Sequence, residues 1–316
     1  MFNHLSPTTF LKFYKQCEHR VYLEKVREVL SKEEYEKNQT MAMACGSAFD
    51  IMVKGALNRR IKVNEELKEK IQERNKAAIQ LAKVLFECYS LGSLKTLKEE
   101  GIGFGSIDQE IVLEWDEILS NPPIQISEGK MEITSSTLGI KNHKSILYGM
   151  PDLTLKTGEV LDWKCQGMFG RGKKPLRGYC RCYLYNKDNH MHGKDLGEND
   201  SDLTMEEIQE DWAIQLYLYN RLLGHKVGEK LRAGIENVCV DSDNTICCAS
   251  YRNFISRDFQ IRIERAFHDA FERLSTNKTE QPCATPYRCI TYGKLCPVWA
   301  FCDSYLGITK GGKEKL

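Results

Sequence analysis

The stretch Gly149–Gly167, GMPDLTLKTGEVLDWKCQG, constrains this chain more than any other. It holds two short runs rich in strand formers, and it places Asp152, Asp162 and Lys164 in segments that otherwise read as buried. Residues two apart on a strand face one side, so Asp162 and Lys164 share a face and Trp163 takes the other. The position of Asp152 depends on the turn. A two-residue turn at Thr157-Gly158 sets Asp152 opposite Trp163. A three-residue turn, Lys156-Thr157-Gly158 with Gly158 left-handed, pairs 155 with 159 and therefore Asp152 with Asp162. Both carboxylates and the lysine then converge.

Two carboxylates directly opposite each other repel. A divalent cation removes that cost, and Mg²⁺ is typically held by one or two carboxylates with waters and phosphate. Beside it, Lys164 would orient a water or steady charge developing on a phosphate. That is equipment for metal-assisted phosphodiester hydrolysis. On spacing alone, a buried ion pair with Lys164 explains the same charges equally well.

The rest of the chain alternates helical and strand patterns. Ser6-Pro7 opens a helix, and further helices are expected over about Met41–Arg60 and Glu65–Tyr89. Ser106–Trp115 alternates as a strand, while Met168–Asp202 is polar and reads as a long loop or insertion. Thr204-Met-Glu-Glu207 fits a capping box, with a helix running to Leu223 and Gly224 as its stop. Two strands across Asp241–Asn244 form a hairpin, and a last helix covers about Ser256–Ser275. With no repeat and no clean linker, residues 1–316 read as a single domain. Its parts are a helical 1–105, an α/β core 106–280 with a polar insertion at about 168–203, and a cysteine-rich tail 281–316. No apolar run reaches the ~18 residues of a membrane span, and MFNHLSPTTF lacks a signal-peptide pattern, so a cytoplasmic protein is expected. The net charge of +1 neither demands nor excludes nucleic acid.

Thirteen cysteines in such a chain are not expected to form a disulfide framework. Cys45, Cys88, Cys239, Cys247 and Cys248 lie in apolar runs and read as core; Cys180 and Cys182 read as strand residues. Cys283, Cys289, Cys296 and Cys302 crowd the tail at intervals too wide for two-residue zinc knuckles, and read together as a local metal site.

Pro151-Asp152, followed by Asp162-Trp163-Lys164, resembles the core of the PD-(D/E)XK nucleases. Gln215-x-x-x-Tyr219, one turn apart on the capped helix, resembles the extra motif of RecB-like exonuclease domains, where the pair lies beside the metal and the DNA strand. Gly46-Ser-Ala-Phe-Asp50 resembles the Gly-x-x-x-His motif of that group, with Asp50 replacing the metal-binding His. An aspartate is also a good oxygen ligand for Mg²⁺ or Mn²⁺. Glu110, on the preceding strand, is a further candidate. The resemblance implies an α/β fold of restriction-endonuclease type, a central mixed β-sheet flanked by helices. It implies catalytic roles for Asp152, Asp162, Lys164, Gln215 and Tyr219, and metal ligation by Asp50, Asp152 and Asp162.

In the AddB-type and CRISPR-adaptation nucleases, one N-terminal and three C-terminal cysteines hold an iron–sulfur cluster. The matching residues are Cys17, Cys289, Cys296 and Cys302, which implies a 4Fe-4S clip joining the tail to the N-terminal part. The wide first interval leaves Cys283 as an alternate ligand and zinc as an alternate metal. A diffuse likeness to phage-encoded members suggests a viral origin and a host-cytoplasmic location.

Arg171–Arg181 carries five basic residues and no acidic one. Arg171, Lys173, Lys174 and Arg177 are candidate phosphate contacts, and Tyr179 is a candidate platform for a base. The expectation is a Mg²⁺- or Mn²⁺-dependent deoxyribonuclease, an exonuclease acting on DNA in recombination, repair or end processing, with a recombinase or single-strand annealing protein as a candidate partner. Two other readings stand beside it. One is a non-catalytic DNA-binding scaffold of the same fold, favoured by the Asp50 replacement; the other is a regulatory protein whose function is its cysteine-bound metal.

Overall fold

The structure is a computed structural model that describes residues 4–26, 39–57, 61–99, 104–107, 111–114, 146–169, 172–186, 189–200, 202–276, 290–291, 294–296 and 298. Helix α1 (Pro7–Lys15) starts as its sequence requires: Oγ of Ser6 accepts the N–H of Thr9 at 3.2 Å, and Pro7 fills a first-turn position that needs no donor. There follow α2 (Glu18–Lys25), α3 (Met41–Leu57), α4 (Val63–Lys70), a 3-10 turn at Glu73–Asn75, α5 (Ala77–Leu91) and α6 (Ser93–Glu99). The one helix expected over Glu65–Tyr89 is therefore broken. Ile71 turns extended and buries its side chain, and the Asn75 amide donates to the Gln39 carbonyl at 2.9 Å. Tertiary contacts here override helix propensity.

Strands β1 (Phe104–Ile107) and β2 (Ile111–Glu114) divide the single strand expected at Ser106–Trp115 between two sheets. Next come β3 (Ile146–Gly149), β4 (Leu153–Leu155), β5 (Val160–Gln166), β6 (Arg181–Asn186) and β7 (Asn189–Asp195). The last two correct the expectation of a long loop over Met168–Asp202. In Arg-Cys-Tyr-Leu-Tyr-Asn, buried Cys182 and partly buried Leu184 join one core, while Tyr183 and Tyr185 join the other. The strand period was masked by the polar β7 beside it.

The Thr204 capping box is present, with the Thr204 N–H donating to Glu207 at 2.8 Å. Its helix stops after one turn: α7 (Met205–Ile208) ends at extended Gln209, and α8 (Glu210–Leu222) restarts there. Strands β8 (Leu231–Val240) and β9 (Thr245–Ile255) form the expected hairpin, followed by α9 (Arg257–Ser275) and the short β10 (Ile290–Thr291) and β11 (Lys294–Leu295).

The main sheet has seven strands in the order β1-β4-β5-β8-β9-β6-β7. Its β5–β8 pair is parallel and its other pairs are antiparallel, so the architecture is mixed α/β with helices on both faces. Side chains alternate between two cores. Val160, Leu231, Ala233, Ile235 and Tyr251 pack with α1, α8 and α9. Leu161, Trp163, Val238, Ile246 and Cys248 pack with α3, α5 and α6. Cys45, Cys88, Cys239, Cys247 and Cys248 are buried, as expected of core thiols. Among the described residues, no helix is long and apolar enough to cross a membrane.

Candidate active site

The β4–β5 hairpin sets the site. Gly158 has φ +86°, its N–H donates to the Leu155 carbonyl at 2.9 Å, and the Leu155 N–H donates to the Glu159 carbonyl at 2.9 Å. Leu153 pairs with Leu161 and Thr154 with Val160, so Asp152 falls opposite Asp162. This is the three-residue turn and the register in which the two carboxylates oppose each other. Pro151, opposite Trp163 in this register, has no N–H to give. The Asp152 side chain continues the edge instead: its Oδ2 accepts the Trp163 N–H at 3.2 Å.

Asp162 points toward α8 and is only 2% exposed. Burial pushes its carboxyl up to about 7; Lys164 pulls it down, and Asp152 adds repulsion in the same direction as burial. Lys164, two residues on, forms an ion pair with it. Burial works against the Lys164 charge, but Asp162, with Asp152 and Asp50 behind it, holds the ammonium above its ordinary value. The Lys164 ammonium also donates to Oε1 of Gln215 at 2.9 Å. Gln215 Nε2 donates to the Tyr219 hydroxyl at 2.9 Å and approaches Oδ1 of Asp162 at 3.5 Å. Five of the residues singled out in the sequence thus meet at one place, where the middle of β5 faces α8.

Asp50 lies at the same site but is engaged differently. Its Oδ2 accepts from Lys54, one turn along α3, at 2.7 Å, and the same ammonium reaches Oδ1 of Asp152 at 3.2 Å. Lys54 was missed in the sequence. The signal was a lysine inside the apolar run Ile51-Met-Val-Lys-Gly-Ala-Leu57, four residues after Asp50. Trp163 turns away into the second core, where its indole donates to the Tyr89 hydroxyl at 3.0 Å.

Of the candidate DNA contacts, Lys173, Lys174 and Arg177 are exposed on the segment after β5, and Arg177 is paired with Asp200. The ring of Tyr179, the candidate platform for a base, is buried and packs edge-on to Tyr251. Arg171, Glu110, Cys283, Cys289 and Cys302 lie outside the described residues. Cys17 immediately precedes α2, and Cys296 follows β11; both are partly exposed. Among the described residues, no group of three or more His, Cys, Asp or Glu is gathered to hold a metal ion. The donor set that fits a hard divalent cation is the opposed pair Asp152 and Asp162, whose oxygens repel one another and one of which is almost fully buried.

No family model matches the chain, and no curated protein matches it. Among solved structures, it is similar to a crystal structure from Eubacterium rectale described as "Putative exonuclease". The TM-score is 0.46, with 12% sequence identity, over 88% of this chain and 83% of that one.

Proposed function

We propose that this protein is a divalent-metal-dependent deoxyribonuclease of the PD-(D/E)XK kind, and an exonuclease. The observation that carries the reading is the hairpin register, which sets Asp152 against Asp162 with Lys164 on the same face. Asp152 and Asp162 would hold Mg²⁺ or Mn²⁺, and the bound ion supplies Lewis-acid charge at the scissile phosphate and lowers the pKa of water. The remaining work falls to the chain. Lys164 stands next to the carboxylates, with its ammonium fixed between Asp162 and Gln215, where it orients the attacking water and offsets charge on the phosphate. Tyr219 fixes the amide of Gln215, and thereby the direction in which Oε1 faces Lys164. Lys173 and Lys174, exposed beyond the end of β5, neutralise phosphates of the bound strand.

Cys17 and Cys296, with Cys289 and Cys302, would hold an iron–sulfur cluster, with zinc as the alternate metal; Cys283 is the spare ligand. The DNA would reach the enzyme through end processing or recombination, beside a recombinase or annealing protein.

One observation favours a different reading. The Lys54 ammonium lies between Asp50 and Asp152, as it would in a scaffold that had traded metal for an ion pair. The deciding experiment incubates end-labelled linear and closed circular DNA, single- and double-stranded, with Mg²⁺, Mn²⁺ or chelator. Metal-dependent loss of linear DNA by the wild type, absent in a folded Asp162→Ala variant, supports the nuclease. Undiminished cleavage by that variant rejects the site.

A further inference from the structure

Lys54 occupies a position that the rest of the fold has built for it. Its side chain is 7% exposed, and its neighbours Ile51, Met52 and Val53 on α3 are packed in the core. Asp50 stands one turn away on the same helix face, 2.7 Å from the ammonium, and Oδ1 of Asp152 lies 3.2 Å away on the other side. The Trp163 ring centroid is 6.0 Å from Nζ. Asp152 therefore divides its two oxygens: one receives Lys54, the other the Trp163 N–H.

Resting on the nuclease reading, we propose that Lys54 is a resident cation of the active site, supplying between Asp50 and Asp152 the charge that a second divalent ion would bring. The site then takes a single divalent ion, at Asp152 and Asp162, and Asp50 serves to hold Lys54 rather than metal. Two facts make this more than an incidental ion pair. A second ion bridging Asp50 and Asp152 needs the space that the ammonium fills, and an ammonium driven out of it would be left beside Trp163 and the α3 core without those counter-charges. Without the ammonium, two carboxylates would face a common gap, which is a donor set that Mg²⁺ and Mn²⁺ accept. Lys54 is in this sense a positioning residue: it keeps Asp152 turned for the one ion.

The test counts ions directly. Mn²⁺ is titrated into the full chain, and binding is followed by loss of the electron paramagnetic resonance signal of the free aqua ion. One ion per chain is expected in the wild type and in Lys54→Arg, which keeps the charge. Two are expected in Lys54→Met, with spin coupling between neighbouring ions. Asp50→Asn should still bind one. Two ions in the wild type overturn this inference and leave the nuclease reading intact, as does a single ion in folded Lys54→Met or loss of the ion in Asp50→Asn. No ion in the wild type overturns both. If Lys54→Met does not fold, the wild-type and Lys54→Arg counts decide alone.

Discussion

The Lys164 ammonium on β5 donates to Oε1 of Gln215 on α8 at 2.9 Å, across the boundary between sheet and helix. The lysine is thereby held from two sides, by Asp162 in its own strand and by an amide whose other end is fixed on Tyr219. Replacing Gln215 with Leu keeps the helix but frees the ammonium to swing. A displacement of about an ångström costs on the order of 100-fold in rate. Turnover by Gln215→Leu should fall roughly 10- to 100-fold with an unchanged circular-dichroism melt, and Gln215→Glu, which retains an acceptor, should recover part of it. Wild-type turnover in the leucine variant would remove Gln215 from the machinery.

Gly158 holds the register that opposes Asp152 to Asp162. It sits at φ +86°, and a Cβ added there meets nothing within 4 Å, so any penalty is one of backbone alone. An L-residue in the left-handed region costs about 1–2 kcal/mol, whereas Asn tolerates it. Gly158→Val should lower stability by about 2 kcal/mol and reduce cleavage, since a one-residue slip would turn Asp152 to the opposite face. Gly158→Asn should stay close to wild type in both. Equal urea midpoints for the two variants would show that the turn does not set the register.

The hairpin was legible because its turn and its alternation are local, but two turns remained open, and the left-handed Gly158 with the Leu155–Glu159 pairing decided which face Asp152 takes. The capping box, the Asp241–Asn244 hairpin and the Gln215–Tyr219 pair were legible for the same reason. What escaped was long-range. The β6 strand is a strand because β9 lies beside it, with Cys182 opposite Ala249, and a window of sequence does not contain that partner. Gln209 breaks the helix after Thr204 with no Gly or Pro to announce it. Tyr179 reads as a surface aromatic because its neighbours are basic, yet Tyr251 and the first core claim it. Lys54 escapes notice because a lysine in a helix is ordinarily solvated, and only the fold brings Asp152 to it.

Glu236 and Arg252 show what a buried pair costs to break. Glu236 is 1% exposed, accepts from Ser250 at 2.8 Å and is paired with Arg252, which also reaches Glu159. Removing one partner of such a pair typically costs about 3–5 kcal/mol, because the other charge stays buried. Arg252→Met should lose about 3 kcal/mol in urea unfolding, and adding Glu236→Gln should restore much of it. A double variant less stable than the single would contradict a desolvation cost.

His268 on α9 supplies a pH test of the core away from the candidate site. Burial, with Arg221 beside it, holds its pKa down to about 4, against an ordinary value of 6.5. Between those values the unfolded chain takes up a proton that the folded chain refuses, so stability rises with pH across the window. The contribution is complete above pH 6.5 and is lost as pH falls toward 4. Each pH unit in that window changes stability by about 1.4 kcal/mol, which brings the whole loss to about 3 kcal/mol. His268→Phe removes the titrating group and keeps an aromatic ring beside Phe267. Urea unfolding of both proteins from about pH 7 to about pH 4 should show the wild type losing about 3 kcal/mol relative to the variant. The nearby Tyr217–Glu264–Arg221 network is present in both proteins and cancels to first order in the comparison. Parallel stability curves would mean that His268 takes its proton in the folded state as readily as in water.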